Sequence, residues 1–150
     1  MRLTQHVDYG LRVLMYLASR PGEYATSAEL AKVFRVSHNH LLKVVHRLCE
    51  LGYVDAKRGP TGGVSFRPST ADVTVGEVVR HLEPQHALVE CFDPAVNTCP
   101  ITRFCGLAPL LKRANDAFLR ELDRTTLGEL ATPPGALRSI APRRRAQSSA

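Results

Sequence analysis

Three of the four cysteines in this chain, Cys91, Cys99 and Cys105, lie within a stretch of fifteen residues. Seven residues separate the first pair and five the second, and turn-forming residues such as Pro94 stand beside the thiols. Because such a segment folds back on itself, it can bring three thiolates together as ligands for a soft metal ion or an iron–sulfur cluster. Unpaired structural cysteines are the alternative, but those are usually buried and seldom gather in a loop rich in proline and polar residues. We therefore expect residues 91–105, the cysteine loop, to bind a metal centre.

Other thiol and imidazole side chains are weaker ligand candidates. Cys49 lies on an apolar helical stripe, where packing in a core is the simpler explanation. His81 and His86 precede the cysteine loop, and either would complete a tetrahedral zinc site with the three thiols. A lone histidine is more often a hydrogen-bonded surface or core residue. A zinc-stapled interaction module is therefore an alternative to the cluster.

The charge of the chain is unevenly distributed along its 150 residues, although the net value is +6. Residues 1–68 hold ten Lys or Arg against five Asp or Glu, and residues 69–130 hold six against nine. Residues 131–150 add four arginines and no acid. The basic first part predicts a polyanionic partner, whereas the acidic middle part is unlike a surface that faces DNA.

The sequence also indicates the cellular compartment of the protein. There is no apolar run long enough to span a membrane and no charged-then-apolar leader at Met1. We therefore expect a cytoplasmic protein without a membrane partner. Thiols stay reduced in that compartment, so disulfides are the weaker explanation of the cysteines.

Three helices are predicted in the basic part of the chain. Apolar residues recur at helical spacing over residues 4–19, and a capping box at residues 26–29 opens a second, short helix. Ser37 is the expected N-cap of a third helix that ends near residue 51. Two short helices joined by a tight turn make a helix-turn-helix, whose second helix reaches base edges and phosphates with its N-terminal end. The residues expected to contact DNA there are Ser37, His38, Asn39, His40 and Lys43.

A β-hairpin is predicted directly after the helix-turn-helix. Residues 53–56 and 64–67 are typical of two short strands around a Gly-rich tip with two basic residues. A basic hairpin in this position is typical of a DNA-binding wing, because glycines let the backbone approach the duplex and cations meet phosphates or the minor groove. A solvated helix face and an ordinary hairpin are the alternative, but the positive charge favours DNA binding. The tip residues expected to contact DNA are Lys57, Arg58, Thr61 and Gly62.

Helices are predicted on both sides of the cysteine loop. A capping box at Thr74 opens a short helix, and an amphipathic helix begins right behind Cys105, because Pro109 is tolerated only in a first turn. The apolar stripe of this helix continues to about Asp123 and is typical of a helix that packs on its copy in a second subunit. We therefore expect a homodimer, which also suits the two-fold symmetry of operator half-sites.

The sequence thus predicts a mainly α fold with one small β-hairpin. We expect a winged helix-turn-helix DNA-binding unit at residues 1–68, followed by the cluster-binding loop and a long dimerisation helix at residues 69–131. The second part also holds a last short helix capped by Thr126. Residues 132–150, rich in Pro, Ser and Arg, should form a disordered basic tail. An enzyme is not expected, since no nucleophile–base pair and no phosphate-binding loop can be recognised.

The chain resembles the BadM/Rrf-two family of winged-helix regulators from Met1 to about Ala131. The opening and the stretch before Cys91 are the more specific parts of the resemblance, whereas the wing motif is generic. The matching stretches are Leu3-Thr4-Gln5-His6-Val7-Asp8-Tyr9-Gly10-Leu11-Arg12-Val13-Leu14, Arg58-Gly59-Pro60-Thr61-Gly62-Gly63, Val78-Val79-Arg80-His81-Leu82-Glu83-Pro84, Leu88-Val89-Glu90-Cys91 and the Cys99–Cys105 spacing.

The resemblance implies a homodimeric repressor with one iron–sulfur cluster per subunit, bound by Cys91, Cys99 and Cys105. A 4Fe–4S cluster is favoured, with 2Fe–2S as the alternative. Some members that sense nitric oxide take the fourth ligand from an aspartate in the first helix of the partner subunit, and Asp8 stands at that position. In those members nitrosylation of the cluster releases the protein from the promoters of nitric-oxide detoxification genes, and we expect this function here.

Two other branches of the family provide alternatives. The branch that regulates iron–sulfur assembly has a histidine three residues after its last cysteine, where this chain has Ala108. The iron-responsive branch shares the present cysteine spacing, so an iron-responsive, cluster-dependent repressor is the alternative function. The opening Gln5-His6 and Asp8-Tyr9, together with residues 81–84, favour the nitric-oxide-sensing branch.

Overall fold

Helices dominate the computed structural model, which describes residues 3–60, 62–83 and 87–131. This part of the chain contains six α-helices and one two-stranded antiparallel sheet, as the sequence predicts. The helices are α1 (Gln5–Ala18), α2 (Ser27–Phe34), α3 (His38–Glu50), α4 (Val75–Leu82), α5 (Leu107–Leu122) and α6 (Leu127–Leu130), and the strands are β1 (Val54–Lys57) and β2 (Gly63–Phe66). The predicted DNA contact Thr61, the zinc-ligand candidate His86 and the predicted tail at residues 132–150 lie outside the described residues.

Side-chain caps begin most of the helices where the sequence predicts them. Four threonine hydroxyls accept a hydrogen bond from the backbone N–H three residues further on, those of Thr4, Thr26, Thr74 and Thr126. Glu129 reciprocates the last of these bonds and completes a capping box. Ser37 occupies the N-cap position of α3, as the sequence predicts, but its side chain makes no capping hydrogen bond. Its ψ of 130° is lower than the 153–162° at the four threonines.

Helices α2 and α3 form the predicted helix-turn-helix. The turn between them passes through Arg35, whose φ of 55° is left-handed. Its backbone is closed by a hydrogen bond of 3.0 Å from the N–H of Val36 to the carbonyl oxygen of Ala31. The two helices pack on each other and α3 also packs on α1, so that the first three helices form one unit.

The hairpin is fixed to this unit by its second strand. Val54 pairs with Phe66, and Lys57 pairs with Gly63. The first strand begins and ends one residue later than predicted, and the second strand begins and ends one residue earlier. Ala25 forms a bridge to Val64, with N–H to oxygen bonds of 2.9 and 2.8 Å. Gly63 makes this approach possible, because a Cβ atom there would lie 2.4 Å from the carbonyl oxygen of Ala25.

One hydrophobic core joins the helix-turn-helix, the hairpin, α4 and α6. Helix α1 lies at its centre and contacts α3, α4, α6 and β2. Residues 1–68 therefore share their core with residues from the second half of the chain. The largest fully buried side chains are Tyr16, Leu14, Leu17, Leu30, Leu41, Leu48 and Leu127.

Helix α5 is amphipathic, yet none of its residues is buried. Pro109 lies in its first turn, as the sequence predicts. Leu107 and Leu110 are 56% and 52% exposed, which leaves the first half of its apolar stripe uncovered by this chain. Neither α5 nor any other described helix is long and apolar enough to cross a membrane.

The C-terminal end of α5 is anchored to α4. The carboxylate of Asp123 accepts hydrogen bonds from Arg80, at 2.6 Å, and from the hydroxyl of Thr74, at 3.1 Å. Gly76 allows this close approach, because a Cβ atom there would lie 2.1 Å from the carboxylate oxygen of Asp123. One end of α5 is thus held by the core while the other leads into the cysteine loop.

Candidate metal centre and DNA-binding surface

The cysteine loop is built of short hydrogen-bonded turns, in keeping with its composition. Two 3-10 segments lie in it, Glu90–Phe92 and Thr102–Phe104, with Cys91 inside the first and the last cysteine directly after the second. The carbonyl oxygen of Asp93 accepts a hydrogen bond of 3.0 Å from the N–H of Asn97. Among the described residues, no apolar side chain of the loop packs against the core. Local turns, and not burial, therefore give the loop its shape.

Two polar side chains hold the backbone of the middle cysteine. The amide oxygen of Asn97 accepts a hydrogen bond of 3.1 Å from the N–H of Cys99. The hydroxyl of Thr102 donates a bond of 2.8 Å to the carbonyl oxygen of Cys99. The side chains of Asn97 and Thr102 also bond each other, at 3.2 Å. These two residues were not among the predicted site residues, although Asn and Thr near a turn are a usual sign of such bonds.

The three loop cysteines are half-buried free thiols, and their chemistry fits an iron–sulfur cluster. Among the described residues, however, no three Cys, His, Asp or Glu side chains lie close enough together to hold a metal ion. The described loop therefore does not hold its three thiols at one point, and their role as cluster ligands stays a prediction. Thiolates repel one another, and a metal site usually closes when the cation binds. Three reduced sulfurs on one locally folded loop remain a suitable donor set.

Asp8 lies in the first turn of α1 and is held by Arg12 one turn later. Nε of Arg12 donates a hydrogen bond of 2.9 Å to one carboxylate oxygen, and Nη2 lies 2.7 Å from the other. Because both oxygens are engaged, Arg12 competes with any metal for this carboxylate. The spacing of four residues between acid and base signals such a pair in the sequence, but Arg12 was not among the predicted site residues.

The predicted DNA contacts of the helix-turn-helix lie at the N-terminal end of α3. Ser37, His38, Asn39 and Lys43 are exposed, and His40 is half-buried. The ring of His38 hydrogen-bonds the hydroxyl of Ser27 at 3.0 Å and so joins the starts of α2 and α3. The ring of His40 contacts that of Tyr9 in α1. This end of the helix is thus open to a partner and is connected to α1.

The tip of the hairpin presents its basic residues to solvent. Lys57 and Arg58 are exposed, and Nζ of Lys57 lies 5.8 Å from the ring centroid of Tyr24. Gly62, another predicted DNA contact, is buried, and a Cβ atom on it would lie 2.2 Å from the carbonyl oxygen of Lys57. Its N–H closes the tip by a bond of 2.9 Å to the carbonyl oxygen of Gly59. Gly62 therefore shapes the tip from inside.

The remaining ligand candidates have other partners. Nδ1 of His81 lies 2.5 Å from the hydroxyl of Tyr53, and the two rings stack. Burial raises the pKa of Tyr53 to about 12, so this hydroxyl stays protonated. Cys49 packs partly against the core, and burial raises the pKa of its thiol, which disfavours the metal-binding thiolate. Both residues fit the structural roles that the sequence favours.

Comparison with known proteins gives consistent matches over most of the chain. The family model described as "Rrf2: Iron-dependent Transcriptional regulator" matches residues 3–133. The HTH-type transcriptional regulator NsrR of Bacillus subtilis (strain 168) is 45% identical over 131 residues, which cover 87% of this chain and 90% of that protein. NsrR of Geobacillus kaustophilus (strain HTA426) is 40% identical over 146 residues, covering 97% and 99%. Among solved structures, the oxidized form of CymR from Staphylococcus aureus has a TM-score of 0.67 and 27% identity, covering 87% of this chain and 96% of that one. The predicted fold is thereby confirmed.

Proposed function

Because the chain belongs to the Rrf2 family of transcriptional regulators, we propose that it is a homodimeric repressor whose iron–sulfur cluster releases it from promoters when nitric oxide arrives. The family makes it a DNA-binding regulator and not an enzyme. The finer proposal depends most on one observation, that α1 carries the candidate ligand Asp8 next to Tyr9, whose ring contacts His40 of the recognition helix α3. A change at the metal centre thereby has a short route to the DNA-binding surface.

We assign the cluster to four protein ligands. Cys91, Cys99 and Cys105 are the thiolate ligands of one subunit, and the fourth ligand is the partner subunit's Asp8. Four ligands suit a 4Fe–4S cluster, which we favour over 2Fe–2S. The support within this chain is the local fold of the loop, with Asn97 and Thr102 fixing Cys99, and the free state of all three thiols.

The dimer is supported by the uncovered apolar surface that follows the loop. Phe104 is 90% exposed and Ile101 58%, and the exposed Leu107 and Leu110 of α5 follow them closely in the chain. Large apolar side chains that are exposed near one another are typical of protein–protein interaction sites. A second copy of α5 would cover it and would bring the first helix of one subunit towards the cysteine loop of the other.

In the proposed switch, the carboxylate of Asp8 has two alternative partners, the cluster of the other subunit and Arg12 of its own helix. When bound, the cluster supplies iron that takes up nitric oxide as a ligand. A carboxylate would be the poorest of the four ligands for soft iron, so Asp8 would be the ligand most easily displaced. Arg12, which contacts both of its oxygens at 2.7 and 2.9 Å, would then hold the carboxylate. Helix α1 would be free to shift relative to the partner subunit, and the contact of Tyr9 with His40 would carry that shift to α3.

The DNA contacts follow from the exposed surfaces of α3 and the hairpin. We expect the exposed Ser37, Asn39 and Lys43 to meet base edges and phosphates, with His38 and His40 beside them. We expect the exposed Lys57 and Arg58 at the tip to meet phosphates or the minor groove. A shift of α3 would change the distance between the two DNA-binding surfaces of a dimer. Because the spacing of operator half-sites is fixed, such a change would weaken binding.

The experiment that tests the proposal is anaerobic promoter binding before and after addition of nitric oxide. We expect the purified protein to be brown, to bind tightly, and to dissociate after nitric oxide. A colourless protein that binds DNA equally in both conditions would overturn the cluster proposal and leave the loop with a structural role.

The iron-responsive repressor is the second candidate, because the matching family model is described as an iron-dependent regulator. It would use the same residues with a different signal. Anaerobic treatment with an iron chelator separates the two candidates. Release by the chelator with no response to nitric oxide would favour iron sensing.

A further inference from the structure

Leu42 is a large apolar residue on the exposed side of the recognition helix α3. The other aliphatic residues of α3 are buried, namely Leu41, Val44, Val45 and Leu48. Leu42, in contrast, is 49% exposed, on the face that also carries Asn39 and Lys43. Leu42 is thus a large apolar side chain in the middle of the surface proposed to face DNA. Because it is not buried in the core, we expect it to contact a partner molecule.

Leu42 lines a groove that has apolar side chains inside and basic side chains at its edge. The side chain lines a groove of ≈ 670 Å³ between α3 and the hairpin, together with Val45, Cys49 and Val64. Lys43, His46 and Arg47 also line it. Glu50, at the far end, is paired with Arg47 at 3.1 Å and with His46 at 3.4 Å, so its charge is balanced.

This combination points to duplex DNA as the occupant. The groove lies between the two elements proposed to contact DNA, and its basic margin complements phosphates. In the major groove of B-DNA, the C5-methyl group of thymine is the apolar feature among polar base edges. A leucine whose neighbours on the same face are Asn39 and Lys43 is well suited to that methyl group.

We propose that Leu42 is a specificity-determining residue that contacts a thymine C5-methyl group in each operator half-site. This inference rests on the proposed DNA-binding function and adds a base preference to it. Asn39, Lys43 and His46 on the same face supply the polar contacts around the thymine, while Leu42 selects the base.

The test compares thymine with deoxyuridine, which lacks the methyl group but pairs in the same way. The binding site is first selected from a random duplex pool with the cluster-loaded wild-type protein. Each thymine of the half-site is then replaced in turn by deoxyuridine, and anaerobic binding is measured for wild type and Leu42→Ala. We expect one position at which deoxyuridine weakens wild-type binding about fourfold per half-site, the value of one buried methyl-sized group. Leu42→Ala should bind the thymine site more weakly and should not respond to deoxyuridine there.

Lys43→Ala is the matched control, one residue along the same helix. It should weaken binding to both duplexes by the same factor and keep the response to deoxyuridine. Leu42→Gln adds a second readout, since selection with this variant should lose the thymine preference at that position. Leu42 is exposed, so thermal melting should show all three variants folded.

Two results separate this inference from the proposed function. If the wild type selects a site and responds to nitric oxide, but no deoxyuridine changes its binding, the role of Leu42 is overturned and the function stands. If the wild type selects no site at all, the proposed function itself fails. An equal deoxyuridine response in wild type and Leu42→Ala would also overturn the inference, since another residue would then contact the methyl group.

Discussion

The ring of Tyr9 in α1 lies edge-on against the ring of His40 in α3, with centroids 5.2 Å apart and ring planes at 73°. Tyr9 directly follows Asp8, the proposed ligand of the partner subunit's cluster. His40 lies at the end of the helix proposed to enter the major groove. One aromatic contact therefore joins the helix proposed to carry a cluster ligand to the helix proposed to read DNA.

Removing the ring of Tyr9 should weaken this connection. An aromatic pair contributes about 0.5–1.5 kcal/mol beyond its buried area, so Tyr9→Leu should lower promoter affinity by up to about tenfold. Tyr9→Phe keeps the ring and is the matched control, which we expect to bind like wild type. Anaerobic fluorescence anisotropy with labelled promoter DNA measures both. Equal affinities of Tyr9→Leu and Tyr9→Phe would contradict the proposed connection.

Loss of the Asp8 carboxylate should uncouple the cluster from DNA binding. Asp8→Ala should keep a cluster on its three thiolates, but its promoter affinity should differ little before and after nitric oxide. The ion pair with Arg12 is an exposed pair one helical turn apart, worth about 0.3–0.5 kcal/mol, so the melting temperature should hardly change. A response to nitric oxide equal to that of wild type would show that Asp8 is not a ligand.

Mixed dimers test whether Asp8 acts across the subunit interface. One subunit carries Asp8→Ala, and its partner carries Cys91→Ser, Cys99→Ser and Cys105→Ser. Across subunits, the intact cysteines of one chain and the intact Asp8 of the other form one complete site. We expect the mixture to regain a DNA-binding response to nitric oxide that neither variant shows alone. No gain on mixing would place Asp8 outside the partner's site.

The first half of α5 should determine the oligomeric state. In a symmetric dimer, Leu110→Lys removes one leucine from each side of the proposed interface. Each loss costs about 2 kcal/mol of association free energy, so association should weaken roughly a thousandfold. Lys112→Ala, on the opposite face, is the matched control and should remain dimeric. Sedimentation velocity measures both. A dimeric Leu110→Lys protein would contradict the assignment of this stripe to the interface.

The anchor at the C-terminal end of α5 should make stability depend on pH. Hydrogen bonds from Arg80 lower the pKa of Asp123 below its ordinary value of 3.8. A lowered carboxylate pKa means that Asp123 stabilises the fold above that ordinary value and that this contribution is lost as pH falls through the lowered pKa. The advantage of wild type over Asp123→Asn in urea denaturation of the metal-free protein should therefore narrow below about pH 4. Asp116→Asn, at a half-exposed site on α5, is the control, and wild type should exceed this variant in stability by much less at pH 7.

Much of the fold could be predicted because local signals fix it. The threonine caps, the left-handed turn before α3 and the first-turn position of Pro109 all act within a few residues of chain. Ser37 shows the limit of this reasoning, since it occupies the predicted N-cap position but its side chain makes no capping hydrogen bond. The bridge between Ala25 and Val64 was not foreseen, because it joins segments that the folded core brings together.

The candidate site was predicted less completely, for a similar reason. The residue types of Cys91, Cys99 and Cys105 are visible in the sequence, whereas a common position for them is not set by the turns of one chain. Tyr9 and His40 meet because α1 crosses α3, which no spacing along the chain reveals. Leu42 resembles a core residue in the sequence, and only the packing of α3 shows that it is exposed.

The most direct test of the account is a titration of the DNA-bound, cluster-loaded protein with nitric oxide in one anaerobic cuvette. Promoter anisotropy and the visible absorption of the cluster are recorded together, with Cys99→Ser as the control. We expect both signals to change in parallel, within a few nitric oxides per cluster, and Cys99→Ser to show neither the wild-type absorption nor the release. A promoter that stays bound while the visible absorption is lost would contradict it.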